Sequence, residues 1–201
     1  SSSSRWTSDR LPKMRRLITL DGRPGNAWIR WAELEDRDLD APAPDLEHTT
    51  DPDAVYNIQF TSGTTGLPKG AMLTHRNVLM NAFYVGQRLR YTPEDRVCVP
   101  VPFYHCFGCV LGTLVCAVYG STLVVPAASF DAGATLSAIE SERCTSIYGV
   151  PTMFAAELDH PDRPRRDLSS LRTGIMAGSP CPLPLMTAVV ETMGAAQITI
   201  G

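Results

Sequence analysis

The sequence predicts an α/β protein, a mostly parallel sheet flanked by helices, and three observations lead there. Strand-like apolar runs alternate with helical periodicity from residue 55 to residue 200. A loop dense in glycine and hydroxyls, Thr61-Ser62-Gly63-Thr64-Thr65-Gly66-Leu67-Pro68-Lys69-Gly70, follows the first of those runs. The 201 residues, with a charged fraction of 19% and a net charge of −3, are enough to bury a sizeable core and carry no basic surplus for nucleic acid.

Residues 1–16 hold serines, Pro12 and five basic residues without an apolar period, a loosely ordered lead. Residues 17–20 read as a strand and 28–34 as a short element. An acidic, proline-bearing linker over 36–53 then closes a lead assigned to 1–52, before a main domain over 53–201. Strands are expected at 55–61, 97–101, 122–125, 145–148, 173–176 and 197–200, with a short one at 71–74. Thr74 is placed to cap a helix over 75–89, in which Val78, Ala82, Val85 and Leu89 recur on one face. The apolar stretch 106–119 is too short to span a bilayer and reads as a buried helix. Asp131 can cap a helix from 132 to 143 carrying Leu136 and Ile139, and Pro151 and Pro182 sit where helices through Leu158 and Met193 would start. Each crossover helix separates two strands, so ligand loops are expected at the carboxyl ends of a parallel sheet, the 61–70 loop among them.

That loop has the makings of a polyphosphate cradle. Its glycines allow close backbone approach to an anion, Thr61, Ser62, Thr64 and Thr65 supply hydroxyl donors, and Lys69 supplies a positive charge on a long stem. It is not a Walker A loop, because Pro68 stands where the second glycine would fall and Gly70 follows the lysine in place of Ser or Thr.

Gln59-Phe60, the ten-residue loop and Ala71-Met72-Leu73-Thr74-His75 together resemble the phosphate-binding signature of the adenylate-forming acyl-CoA synthetases. That family also includes aryl-CoA ligases, luciferases and peptide-synthetase adenylation domains. The resemblance continues through Pro102-Phe103-Tyr104-His105 and Met176-Ala177-Gly178-Ser179-Pro180, so it covers about 53–201. It implies part of the large N-terminal domain of such an enzyme, without the small C-terminal lid domain. The chain lacks an initial methionine and stops at Gly201, where the family continues into a Thr-Glu segment, so a fragment, inactive by itself, is expected.

The resemblance implies ATP-dependent activation of a carboxylic acid through an acyl-adenylate and transfer to CoA. Thr61, Ser62, Gly63, Thr64, Thr65, Gly66 and Lys69 would hold the phosphates of ATP, and Mg²⁺ would arrive with the nucleotide. Gly178, Ser179 and Pro180 would lie under the adenine. His105 would face adenylate and acyl substrate, with Lys69 and His105 as the catalytic pair. Phe103, Tyr104, Cys106, Phe107, Gly108 and Cys109 would complete the acyl pocket. That segment contains no acid to hold a substrate amino group, which argues against an amino acid and for an aliphatic one, and the chain looks most like the medium-chain branch. A non-catalytic nucleotide- or acyl-binding module is the alternative.

The six cysteines sit mostly in apolar runs and read as reduced thiols, which suggests the cytoplasm, or the mitochondrial matrix in a eukaryote. His48, His75 and His160 share no metal-ligand spacing.

Overall fold

The computed structural model describes residues 17–19, 28–32, 51–61 and 66–201. The expected lead over 1–16, most of the 36–53 linker with His48, and Ser62, Gly63, Thr64 and Thr65 lie outside them. The chain divides into two compact units, 1–49 and 50–201. In the first, β1 (Leu17–Thr19) and β2 (Trp28–Arg30) pair in parallel.

The second unit opens with β3 (Val55–Thr61) and β4 (Lys69–Thr74), which form an antiparallel hairpin separate from the main sheet. The expectation that the 61–70 loop follows a strand of the parallel sheet is therefore corrected. A loop of this length joins strands that fold back on each other, whereas a parallel neighbour needs a long crossover. Phe60 and Met72 leave most of their surface uncovered.

Helix α1 (His75–Leu89) starts at Thr74. The Thr74 hydroxyl accepts the Asn77 N–H at 3.2 Å, and the Asn77 carbonyl oxygen accepts the Thr74 N–H at 3.0 Å, a capping box built with asparagine. Val78, Ala82 and Leu89 are buried on its inner face. At the far end Arg172 donates to the carbonyls of Leu89 at 3.0 Å and Arg90 at 2.9 Å, which satisfies acceptors the helix cannot pair itself.

Strand β5 (Arg96–Cys98) leads through the loop of residues 99–105 into a helix of three parts. These are α2 (Cys106–Gly108), a π-helical segment (Cys109–Leu114) and α3 (Val115–Tyr119). Then follow β6 (Thr122–Val124), α4 (Ala132–Glu142), β7 (Ser146–Gly149), α5 (Pro151–Leu158), a 3₁₀ turn (Arg163–Arg165), β8 (Thr173–Met176), α6 (Leu183–Met193) and β9 (Gln197–Ile200). The Asp131 carboxylate accepts the Ala134 N–H at 2.7 Å and caps α4.

The main sheet runs β6-β5-β7-β8-β9, every pair parallel. Side chains alternate across it, as a period of two requires. Val97, Tyr148 and Ile175 pack with Ala82, Leu89 and Val115, while Cys98, Ile147 and Met176 pack with Leu136, Ile139, Phe154 and Val189. Both faces of the inner strands β7 and β8 are covered, whereas the edge strands β6 and β9 keep exposed positions. At the amino edge Asp95 accepts Arg172 at 2.7 Å and Thr145 at 2.6 Å. Burial opposes ionisation of Asp95, but these donors prevail and hold its carboxyl below the usual range.

Candidate functional site

The loops that follow β5, β7 and β8 lie at the carboxyl edge of the sheet. The chain leaves β5 for β6 on one side and returns to β7 on the other, so the crevice between β5 and β7 is the topological switch point. The loop after β5 carries Phe103, Tyr104 and His105. Val150 follows β7, and Gly178, Ser179 and Pro180 follow β8. Gly178 has a φ of +88°, and a Cβ there would sit 3.1 Å from Val150 Cγ1, so its backbone conformation and its close neighbour both call for glycine. The Cys181 thiol pins this turn by donating to the carbonyls of Met176 at 3.4 Å and Ser179 at 3.5 Å, a role nothing in the sequence announced.

His105 is exposed and caps the helix that begins at Cys106. Its Nδ1 accepts the Phe107 N–H at 3.1 Å, and its carbonyl accepts the Cys109 N–H at 3.0 Å. The first bond fixes the tautomer: Nδ1 carries the lone pair and Nε2 the proton. The Cys106 Sγ lies 3.7 Å from the same Nδ1.

The segment expected to line one pocket divides in three. Phe103 and Tyr104 border a cavity of about 460 Å³ with Val125, Phe130 and Met153, and Tyr104 is 90% exposed. Cys106 borders a second cavity of about 440 Å³. Phe107 and Gly108 turn inward: Phe107 stacks on Tyr148 with centroids 5.5 Å apart, and Gly108 is buried against the Pro102 carbonyl. A helix starting at Cys106 sends successive residues to different sides, so a contiguous stretch cannot line one wall. Cys109 is half-buried.

The second cavity is walled by Leu73 of β4, by Asn77, Val78, Asn81 and Val85 of α1, and by Val110 and Leu111 of the π-helical segment. The sequence analysis places Val78 and Val85 on the apolar face of this helix and Cys106 in the acyl pocket, and assigns no cavity to Asn77, Asn81, Val110 or Leu111. The apolar period of α1 was visible, but which part of it faces a cavity depends on the partner helix. The extra residue per turn in a π-helical segment, often found at functional sites, leaves no local sequence signal.

The loop over 61–70 connects the two strands of the β3–β4 hairpin. Thr61 and Lys69 pair across its mouth, with the Thr61 hydroxyl 3.5 Å from the Lys69 carbonyl, and both are exposed. Gly66 has a φ of +133°, a conformation that favours glycine, and a Cβ there would meet nothing within 4 Å. Strand β4 therefore joins the loop to the cavity: Lys69 begins it and Leu73, four residues and about 13 Å along, lines the cavity. Among the described residues, no group of three His, Cys, Asp or Glu is placed to hold a metal ion, and no helix is long and apolar enough to cross a membrane.

A doubly wound sheet with its loops gathered at the carboxyl edge and a glycine-rich hairpin beside it defines an α/β ligand-binding domain. The chain belongs to the AMP-binding enzyme family, whose description matches residues 6–201. It is 48% identical over 196 residues to YngI, a Bacillus subtilis protein assigned to the acyl-CoA synthetases, covering 96% of this chain and 36% of that one. It is 43% identical over 198 residues to the mitochondrial medium-chain acyl-CoA ligase ACSF2 of Danio rerio, covering 96% and 33%. Its fold resembles that of the anthranilate CoA ligase AuaEII in complex with anthranoyl-AMP, with a TM-score of 0.67, 30% identity, and coverage of 75% and 30%. The chain thus spans about a third of the length of the curated relatives it matches. The fold is that of part of the N-terminal domain of an adenylate-forming enzyme.

Proposed function

We propose that this chain supplies the phosphate loop and acyl pocket of an AMP-forming acid-thiol ligase, which activates a fatty acid of medium length as an acyl-adenylate and passes it to CoA. The observation that carries the reading is the shared strand: β4 begins at Lys69 and ends in the wall of an apolar cavity whose opposite wall includes Cys106, next to His105. One rigid element thus places a cationic, glycine-rich loop beside a cavity in the size range of small-molecule sites.

In this reading Thr61, Gly66 and Lys69, with Ser62, Gly63, Thr64 and Thr65, hold the triphosphate. Gly66 fits such a role because its positive φ lets the backbone turn as an anion cradle requires. Lys69 stabilises the charge that builds on pyrophosphate as the carboxylate attacks the α-phosphate. Mg²⁺ arriving with ATP would supply further neutralisation of phosphate charge. Gly178, Ser179 and Pro180 form the shelf for the adenine, at the switch-point crevice. His105 orients the carboxylate end of the acid through its Nε2–H, because its Nδ1 is occupied by Phe107. The acyl chain occupies the cavity walled by Val78, Val85, Val110 and Leu111, which has no charged side chain in its lining. The compartment we assign is the cytoplasm, or the mitochondrial matrix in a eukaryote, a reading supported by the word mitochondrial in the ACSF2 relative's name.

An acid panel run on the complete ligase, scored by AMP release with ATP, Mg²⁺ and CoA, tests this. Octanoate is expected to lead. Preference for an α-amino acid would overturn the reading, and preference for a ring-bearing acid would move the protein to the aryl ligases.

A further inference from the structure

Cys106 is the one exposed thiol of the six cysteines. Cys98, Cys116 and Cys144 are buried, Cys109 is half-buried, and the half-buried Cys181 is engaged by two backbone carbonyls. Exposure alone would make Cys106 unremarkable. Two further features set it apart, and they are independent of each other.

The first is a base. His105 Nδ1 lies 3.7 Å from the sulfur, and its single lone pair, which accepts the Phe107 N–H at 3.1 Å in the resting protein, becomes available to the thiol when that bond opens. A thiol and an unprotonated imidazole nitrogen at contact distance form a nucleophile–base pair. The second is a place for an apolar tail. Cys106 is part of the wall of the 440 Å³ cavity, between Asn77 and Asn81 of α1 and Val110 and Leu111 of the helix it begins. A molecule with a reactive head and a hydrocarbon tail can seat the tail among Val78, Val85 and Leu111 and bring the head to the sulfur.

We propose that Cys106 is a covalent capture site for α,β-unsaturated carbonyl compounds bearing an apolar tail, with His105 as the base and the cavity as the tail's seat. The choice of tail rests on the acyl reading of the same cavity. In the step, the Cys106 thiol proton moves to His105 Nδ1, which gives up its contact with the Phe107 N–H. The sulfur electron pair forms an S–C bond to the β-carbon, and the C=C π pair shifts toward the carbonyl to give an enolate. The imidazolium returns the proton to the α-carbon. Thiol and alkenal thus become a saturated thioether, with no oxidant or reductant consumed. The adduct fills the cavity that the acyl chain would use, so capture blocks acid activation.

The probes are trans-2-nonenal and its tailless counterpart 2-propenal, with borohydride trapping, intact mass and peptide mapping over time. Cys106 is expected to react with nonenal at least about tenfold faster than Cys109 or Cys181, and His105→Gln to slow that reaction at least about tenfold. Leu111→Trp, which fills the cavity, is expected to slow nonenal but not 2-propenal. Val85→Trp repeats that test from the α1 wall should the first variant fail to fold. Labelling of Cys109 or Cys181 as fast as Cys106, or rates indifferent to both His105→Gln and the cavity-filling variants, would overturn the proposal. Octanoate is expected to slow nonenal labelling. Fast, base-dependent and tail-dependent labelling of Cys106 that octanoate does not affect would refute the acyl reading and leave the capture site standing.

Discussion

Replacing Glu157 by glutamine should remove a pH dependence that the fold imposes on stability. Glu157 lies on α5, is fully buried, and neither carboxylate oxygen has a hydrogen-bond partner. Burial alone pushes its carboxyl up to about 8 from an ordinary 4.5. The fold therefore keeps this group neutral, and the stability linked to it is complete below about 4.5 and is lost as pH rises toward about 8. Within that window the unfolded chain has given up a proton that the native chain retains, at a cost near 1.4 kcal/mol per pH unit. From about pH 5.5 to 7.5 the native protein should lose about 3 kcal/mol relative to Glu157→Gln, whose amide keeps the shape and cannot ionise. Other titrating groups, such as Asp95 with its opposite sign, are common to both proteins and cancel in the difference. Urea denaturation followed by circular dichroism at several pH values measures it. A stability difference that stays flat across the window would show that Glu157 is ionised in the native state and has a partner, and would refute the reasoning.

Two further perturbations follow from local geometry. Gly178→Ala forces a Cβ onto a residue at φ +88° and against Val150, so the turn after β8 should distort at a cost of about 1–2 kcal/mol, seen as a weakened apparent affinity for ATP with the melting temperature changed by only a few degrees. Arg172→Met leaves the buried Asp95 without its ionic partner and two α1 carbonyls without their donor, so thermal denaturation should show a loss of about 3–5 kcal/mol; a change under about 1 kcal/mol would mean the cluster is solvated.

The parts of the fold written in local signals were legible. Thr74 and Asp131 announce their helices because a hydroxyl or carboxylate at an N-cap acts on the very next turn. The inner strands β7 and β8 of the main sheet stand out because burial on both faces favours apolar residues along their length. The pairing of β3 was misjudged for a matching reason. A strand's own residues do not say whether its partner lies beyond a short turn or a long crossover, and the glycines and hydroxyls of the loop over 61–70 suit an anion cradle and a hairpin connection equally well. In the candidate site, His105 and Lys69 could be singled out by residue type and motif, whereas the division of 103–109 between two cavities and the core could not. Phe107 turns inward because Tyr148, 41 positions later, offers it a ring to stack on. The cavity walls at Leu73, Asn81 and Val110 come from three separate elements, and only the packing of α1 against the π-helical segment brings them together.

Acid-dependent exchange of labelled pyrophosphate into ATP, compared between the complete ligase and its Lys69→Ala variant, tests the central claim most directly, because it reads adenylate formation without requiring the thiol step. Exchange should depend on octanoate and fall on the order of 10²-fold or more in Lys69→Ala, with circular dichroism unchanged. Undiminished exchange in Lys69→Ala would remove the 61–69 loop from the chemistry and contradict the account.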